Sequence, residues 1–230
     1  MRTVDRIRTT PRISVTKLGE YLVASPRRRR AILRAQHRPK DVVVARYHDA
    51  RHAIVRFLTG ELDEDGLIEE RDRVASVTGG TDWAVQDRRL SVLAINRFLD
   101  IADRVQLHGN VRPGSGIHGA LRIADVSVSI RPDVTFLEDV GSGTRLGSIK
   151  LVFARTIPIT DESGAYIGTA LAEHLGRHHP GSPVVREWCQ VVDVLHGTVR
   201  SAPRTYRSRM ADIEAACEEI GSSWSRVVRE

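Results

Sequence analysis

Two charged residues stand inside apolar stretches of this sequence. Asp133 lies in Ile130-Arg131-Pro132-Asp133-Val134-Thr135-Phe136, and Lys150 in Gly147-Ser148-Ile149-Lys150-Leu151-Val152-Phe153. A charge inside a strand is expensive unless it is paired or used. Side chains two apart share a face of a strand, so Ser148, Lys150 and Val152 point one way and Ile149, Leu151 and Phe153 the other. The Gly141–Gly147 turn makes the two stretches antiparallel neighbours, with Asp133 and Lys150 near the same end. Each residue has a simpler use alone. Asp133 can cap the Arg131-Pro132 junction or pair with Arg131 or Arg145, and Lys150 can guard an edge strand. Together, in an apolar setting, they read as a site. Ser148 with Lys150 also has the spacing of an acyl-transfer dyad, which needs a depressed lysine pKa and an oxyanion hole; the sequence shows neither. Asp193, in Val191-Val192-Asp193-Val194-Leu195, is a further acid in an apolar strand, either a ligand or a partner for an arginine.

Other residues point to anion binding. Arg27 to Arg30 fall in the first turn of a predicted helix, where cations oppose the helix dipole. They form either a solvated face or a phosphate site, in which guanidinium groups act with helix amides. With Arg34, Arg38 and Lys40 they make a basic patch suited to phosphate contacts without sequence readout. Residues 14–37 also have the form of a helix-turn-helix. His174 and His178 have the i, i+4 spacing of metal ligands, but the simpler reading is histidines near a helix C-terminus. The Gly141–Gly147 turn lacks the Gly-Lys-Ser/Thr of a phosphate loop. Cys189 and Cys217 read as small core residues.

The elements that must position these groups are legible from periodicity and punctuation. Ser14 caps a helix with Val15, Leu18, Tyr21 and Leu22 on its apolar positions, and Ser25-Pro26 opens a second that runs to about His37. Tyr47–Leu58 and the charged stretch 61–76 are further helices, and Thr78-Gly79-Gly80 marks a soft boundary. A long helix runs from Thr81-Asp82 to Val105. A glycine-rich loop covers 107–119. Strands are expected at 120–130, at 133–137 and at 148–154. A helix follows from Thr160, then a buried strand over 184–195. The last helix carries the stripe Tyr206, Met210, Ile213, Cys217, Ile220, Trp224 and Val227. The fold class is therefore α/β (α+β): a basic helical region, 1–80, then a domain, 81–230, of helix, three strands, helix, strand, helix.

Pro132-Asp133 followed by Lys150 in this order of elements resembles the PD-(D/E)XK nuclease superfamily, the restriction-endonuclease-like fold, over residues 81–203. The resemblance implies a metal-dependent nuclease acting on DNA or RNA. Acids would hold Mg²⁺ or Mn²⁺, the metal would polarise the phosphodiester and activate water, and the lysine would stabilise charge. Asp133 and Lys150 would be catalytic, with Ser148 at the place of the second acid. A hydroxyl is a poor anchor for Mg²⁺. Either another carboxylate supplies the charge, with Glu138, Asp193, Asp103 and Asp100 as candidates, or the site is degenerate and only binds nucleic acid. The alternative is a helix-turn-helix DNA-binding regulator or adaptor with a C-terminal assembly domain.

Composition bounds these readings. The 230 residues carry a net charge of +6, compatible with polyanionic partners. Only Lys17, Lys40 and Lys150 are lysines, so coding bias toward arginine explains most of the guanidinium excess and makes each lysine informative. No CxxC pair exists to hold zinc, and two cysteines make no disulfide framework. With no membrane-length apolar run and no apolar leader, the sequence reads as a soluble, cytoplasmic protein with reduced thiols, with a protein partner or homodimer an open possibility.

Overall fold

The computed structural model describes residues 7–39, 46–114, 119–141 and 143–229. It is an α/β fold. A five-stranded mixed sheet carries helices on both faces, and a three-stranded sheet is built into one of the two cores. In chain order the elements are β1 (Arg12–Ser14), α1 (Val15–Val23), α2 (Pro26–His37), α3 (His48–Leu58), α4 (Glu64–Ser76) and α5 (Asp82–Leu99). They continue with β2 (Asn110–Pro113), β3 (Gly119–Ile123), β4 (Val126–Ile130), β5 (Val134–Val140) and β6 (Gly143–Val152). The last are α6 (Asp161–His178), β7 (Val184–Asp193), β8 (Thr198–Ser201) and α7 (Arg207–Arg229).

The large sheet has the order β2-β5-β6-β7-β8, and only the β6–β7 pair is parallel. That pair requires a crossover, which α6 supplies. The expected succession of helix, three strands, helix and strand is present as α5, β2, β5, β6, α6 and β7, with two corrections. The stretch 120–130 is not one strand. It is a hairpin, β3–β4, turned at Ala124 and Asp125, both at positive φ (44° and 63°). Such a turn favours Asn, Asp or Gly; Asp125 and a one-residue shift in the apolar alternation, from Leu121 and Ile123 to Val126, Val128 and Ile130, are its only marks. The hairpin belongs to the small sheet β1-β4-β3. Its place in the large sheet is taken by β2, from the stretch expected to be loop, where Val111 pairs opposite Phe136.

Alternation along the central strands divides the core. Ile149, Leu151, Val134, Phe136 and Val192 face α3, α4 and α5. Val152, Cys189 and Val191 face α1, α2, α6, α7 and the small sheet. The helices before residue 80 thus share both cores with elements after it. Capping agrees with the sequence: Ser14, Ser25 and Thr81 accept from Lys17, Arg28 and Ala84 amides, and Thr160 with Ser163 forms a capping box. Among the described residues no helix is long and apolar enough to cross a membrane.

Gly19 lets α1 lie directly on α6. A Cβ there would sit 2.5 Å from Ile167 Cγ1 and 2.8 Å from the Ser163 carbonyl oxygen. Alanine would gain about 1 kcal/mol of helix propensity, but a backbone carbonyl cannot swing aside as a side chain can. Overpacking of about 2 kcal/mol or more therefore wins. Gly19→Ala is expected to unfold at lower urea concentration than the wild type; an unchanged or later midpoint would show that the crossing has room.

Candidate functional site

Pro132 has no N–H and cannot extend the β5–β6 ladder. Asp133 follows it at the strand's first step, where its amide donates to the Ile149 carbonyl (2.8 Å). Its side chain then serves the backbone that the ladder leaves behind: Oδ2 accepts from the Leu151 amide at 2.8 Å. The same oxygen accepts from Lys150 Nζ at 2.7 Å, and Nζ also donates to the Arg131 carbonyl at 2.8 Å. Oδ1 is ion-paired with Arg51 of α3. The Asp133 carboxylate is nearly closed to solvent, with 6 % of its side chain exposed; Lys150 keeps 13 % and Arg51 38 %. Burial holds the Lys150 ammonium below the ordinary lysine range, opposed by Asp133 and reinforced by Arg51.

Arg51 is itself held in place. Its guanidinium lies 4.8 Å from the centre of the Phe153 ring, which stacks on Tyr47 with centroids 5.1 Å apart. Tyr47 caps α3 in the left-handed conformation (φ 65°), and its amide donates to Asp87 of α5 at 3.0 Å. Side chains from α3 and β6 thus converge on one carboxylate, and α5 steadies the start of α3 through Asp87. Sequence reasoning paired Asp133 with Lys150 and missed Arg51, 82 residues upstream of Asp133, for which only an arginine in a helix stripe gave any signal.

The remaining expected site residues lie elsewhere. Ser148 is wholly buried; its hydroxyl faces the Cys189 sulfur at 4.0 Å and touches neither Asp133 nor Lys150. It can be neither a nucleophile open to substrate nor a ligand beside Asp133. Glu138 pairs across from Arg145, five residues along β5. At about 3.3 Å per residue that is roughly 16 Å from Asp133, too far to share an ion. Asp193 is wholly buried and fully occupied, accepting from the Ile159 amide at 2.8 Å and meeting His196 Nδ1 at 3.0 Å; it ties the segment leaving β6 to the end of β7. Asp100 is exposed beside Arg97. His178 Nδ1 faces the His174 carbonyl at 2.9 Å, so it donates there, and the two rings pack 4.1 Å apart. Burial pushes the Cys189 and Cys217 thiols up to about 12, leaving both protonated.

These residues do not fit a divalent cation. Three of the four or so acceptor positions of Asp133 are engaged, two of them by cations, and the centre sums to one positive charge (Arg51 and Lys150 against Asp133). No group of three or more His, Cys, Asp or Glu among the described residues is arranged to hold a metal. An ion of charge two would meet repulsion and a single shared carboxylate. An anion would meet attraction, chiefly at Arg51.

The basic run divides by role. Arg28 pairs with Glu20, which also holds Lys17. Arg29 donates to the Tyr21 and Leu22 carbonyls and pairs with Glu219, fastening α1, α2 and α7. Arg27 and Arg30 are exposed, and no acid among the described residues pairs with either. Arg34 is exposed and engaged. Lys40 lies outside the described residues.

No family model matches this chain. No curated protein matches it either. The geometry alone therefore carries the functional argument.

Removing the Asp133 carboxylate strands two cations and the Leu151 amide. Asp133→Ala is expected to cost about 3 kcal/mol, seen as a large drop in the urea midpoint. Ser148→Glu should be comparably damaging, because it forces a larger, charged side chain into a fully buried position packed against Cys189. Midpoints within a few tenths of wild type for both would refute the structural role.

Proposed function

We propose that this chain binds nucleic acid through phosphate contacts, on a nuclease-like frame whose acid–lysine centre braces the fold instead of holding a metal. The observation that carries the second half is the closure of Asp133: both its oxygens are taken by Arg51, Lys150 and the Leu151 amide. The first half draws support from the net charge of +6, from the excess cation at this centre, and from Arg27 and Arg30 at the first turn of α2. There, the two guanidinium groups face solvent, while Ser25 already caps the amides of Arg28 and Arg29. Contacts of this kind bind the backbone of any sequence and weaken with salt.

The test is fluorescence anisotropy with labelled single- and double-stranded DNA and RNA across a salt series. Binding should be tight at low salt and indifferent to sequence. Replacing Arg27 and Arg30 together with alanine should weaken it about tenfold and shallow the salt slope by about one per lost contact. In parallel, strands incubated with Mg²⁺ or Mn²⁺ should remain whole. Absence of binding at low salt would overturn the nucleic-acid reading. Metal-dependent cleavage that Asp133→Asn abolishes would overturn the bracing role of the centre and restore the nuclease.

A further inference from the structure

A set of valines between α4 and α5 belongs to neither core. On α5, Ala94, Ile95 and Phe98 are buried with α3 and the large sheet. At about 100° per residue, Val85 and Val92 point away from that face. They line a groove of about 430 Å³ together with Val74, near the end of α4, and Val77, in the loop that joins the two helices. Val74 is buried, whereas Val77 keeps 47 % of its surface exposed. None of the four packs into either core cluster.

The loop shapes the groove. Gly79 and Gly80 both take positive φ (80° and 100°), a conformation open to glycine, and the turn they make lets α5 pack beside α4. Arg88 reaches back from α5 and donates to the Gly79 carbonyl, which sets a guanidinium at the loop end of the groove. Arg89 follows it in the lining and is exposed. No carboxylate is among the described lining residues, and no acid among the described residues pairs with Arg88 or Arg89.

These features select the occupant. Phosphate contacts use cations and hydrogen-bond donors, so a nucleic-acid strand would leave four valines uncovered. A second copy meeting the same face would set Arg88 and Arg89 against their own equivalents. An acidic amphipathic helix satisfies both parts of the groove, with apolar side chains at i, i+4 and i+7 on the valines and carboxylates on the two guanidinium groups. The length agrees. Val85 and Val92 lie about 10 Å apart along α5 at 1.5 Å per residue, or two turns, which is the span of such a set of anchors. We infer that the α4–α5 groove docks an acidic amphipathic helix of a partner protein. This surface goes beyond the nucleic-acid reading and does not depend on it.

The experiment uses a labelled synthetic peptide of about 18 residues, long enough to form a helix, with leucines along one face and glutamates beside them. One control replaces the glutamates with lysines, and another keeps the composition but scatters the leucines around the helix. By anisotropy, wild-type protein should bind the acidic peptide about tenfold tighter than either control. Arg89→Glu should reverse the preference between the glutamate and lysine peptides, and Val77→Ser should weaken both. Both positions are exposed, so the urea midpoints should stay at the wild-type value. Equal binding of the three peptides, no binding of the acidic one, or an affinity unmoved by Arg89→Glu would overturn the assignment. So would a dimer in sedimentation velocity that Val77→Ser dissociates, since the groove would then be a self-interface. Loss of DNA affinity in Arg89→Glu without any peptide binding would give these arginines to the nucleic-acid surface and overturn it as well.

Discussion

The Asp133 carboxylate, set between Arg51 and Lys150, is the interaction on which the middle of this molecule depends. It sits at the sheet end where Pro132 stops the β5–β6 ladder, and supplies the acceptor that the Leu151 amide needs. It also joins layers. Arg51 reaches it from α3 on one side, while Lys150 projects from the strand face that carries Val152 toward the other core. A lone carboxylate this deeply enclosed would be costly, and so would a lone lysine. Each is tolerable because the other is there, and Arg51 adds a second cation held by the Phe153 ring.

That second cation decides the chemistry. An acid and a lysine at neighbouring strand positions resemble a hydrolytic centre, and the two residues do meet at 2.7 Å. A metal-binding site, however, needs negative charge in excess, whereas here the balance is reversed. Ser148 cannot restore it, because its side chain is wholly buried beside Cys189. Asp193 cannot, because its oxygens hold the Ile159 amide and His196. What remains is a frame that presents arginine outward.

Much of the architecture was legible in the sequence because it rests on local rules. Serine and threonine caps, the Pro26 start, and alternation in β5 to β7 are written within a few residues of where they act. The hairpin at Ala124-Asp125 was not, since a lone Asp and a one-residue shift in the alternation are all that announce it. Strand β2 was not, since its four residues are mostly exposed and pair only through Phe136 and its neighbours. At the site, spacing brought Asp133 to Lys150 because both follow from one antiparallel turn. Arg51 depends on how α3 docks across the sheet, which no window of sequence contains. The same holds for Glu138: the sequence placed it on the right strand, and only strand length shows it to be at the wrong end.

The arginines also show why a charge run cannot be read as a unit. Arg28 and Arg29 are adjacent to Arg27 and Arg30, yet helical geometry turns the first two toward Glu20, Glu219 and the carbonyls that end α1, and leaves the others in water. At 3.6 residues per turn, four consecutive cations cannot share one environment. Those that find carboxylates stabilise the α1–α2–α7 junction, and those that do not are the ones whose field reaches a polyanion. The same division recurs across the protein. Arg56 and Arg73 are taken by Glu70, Arg200 by Asp161 and Arg204 by Glu187, so the positive surface is smaller than composition suggests. Within it, the start of α2 stands out because Arg27 and Arg30 are exposed and meet no acid among the described residues, and cations without compensation are what distinguish a binding surface from a merely basic one.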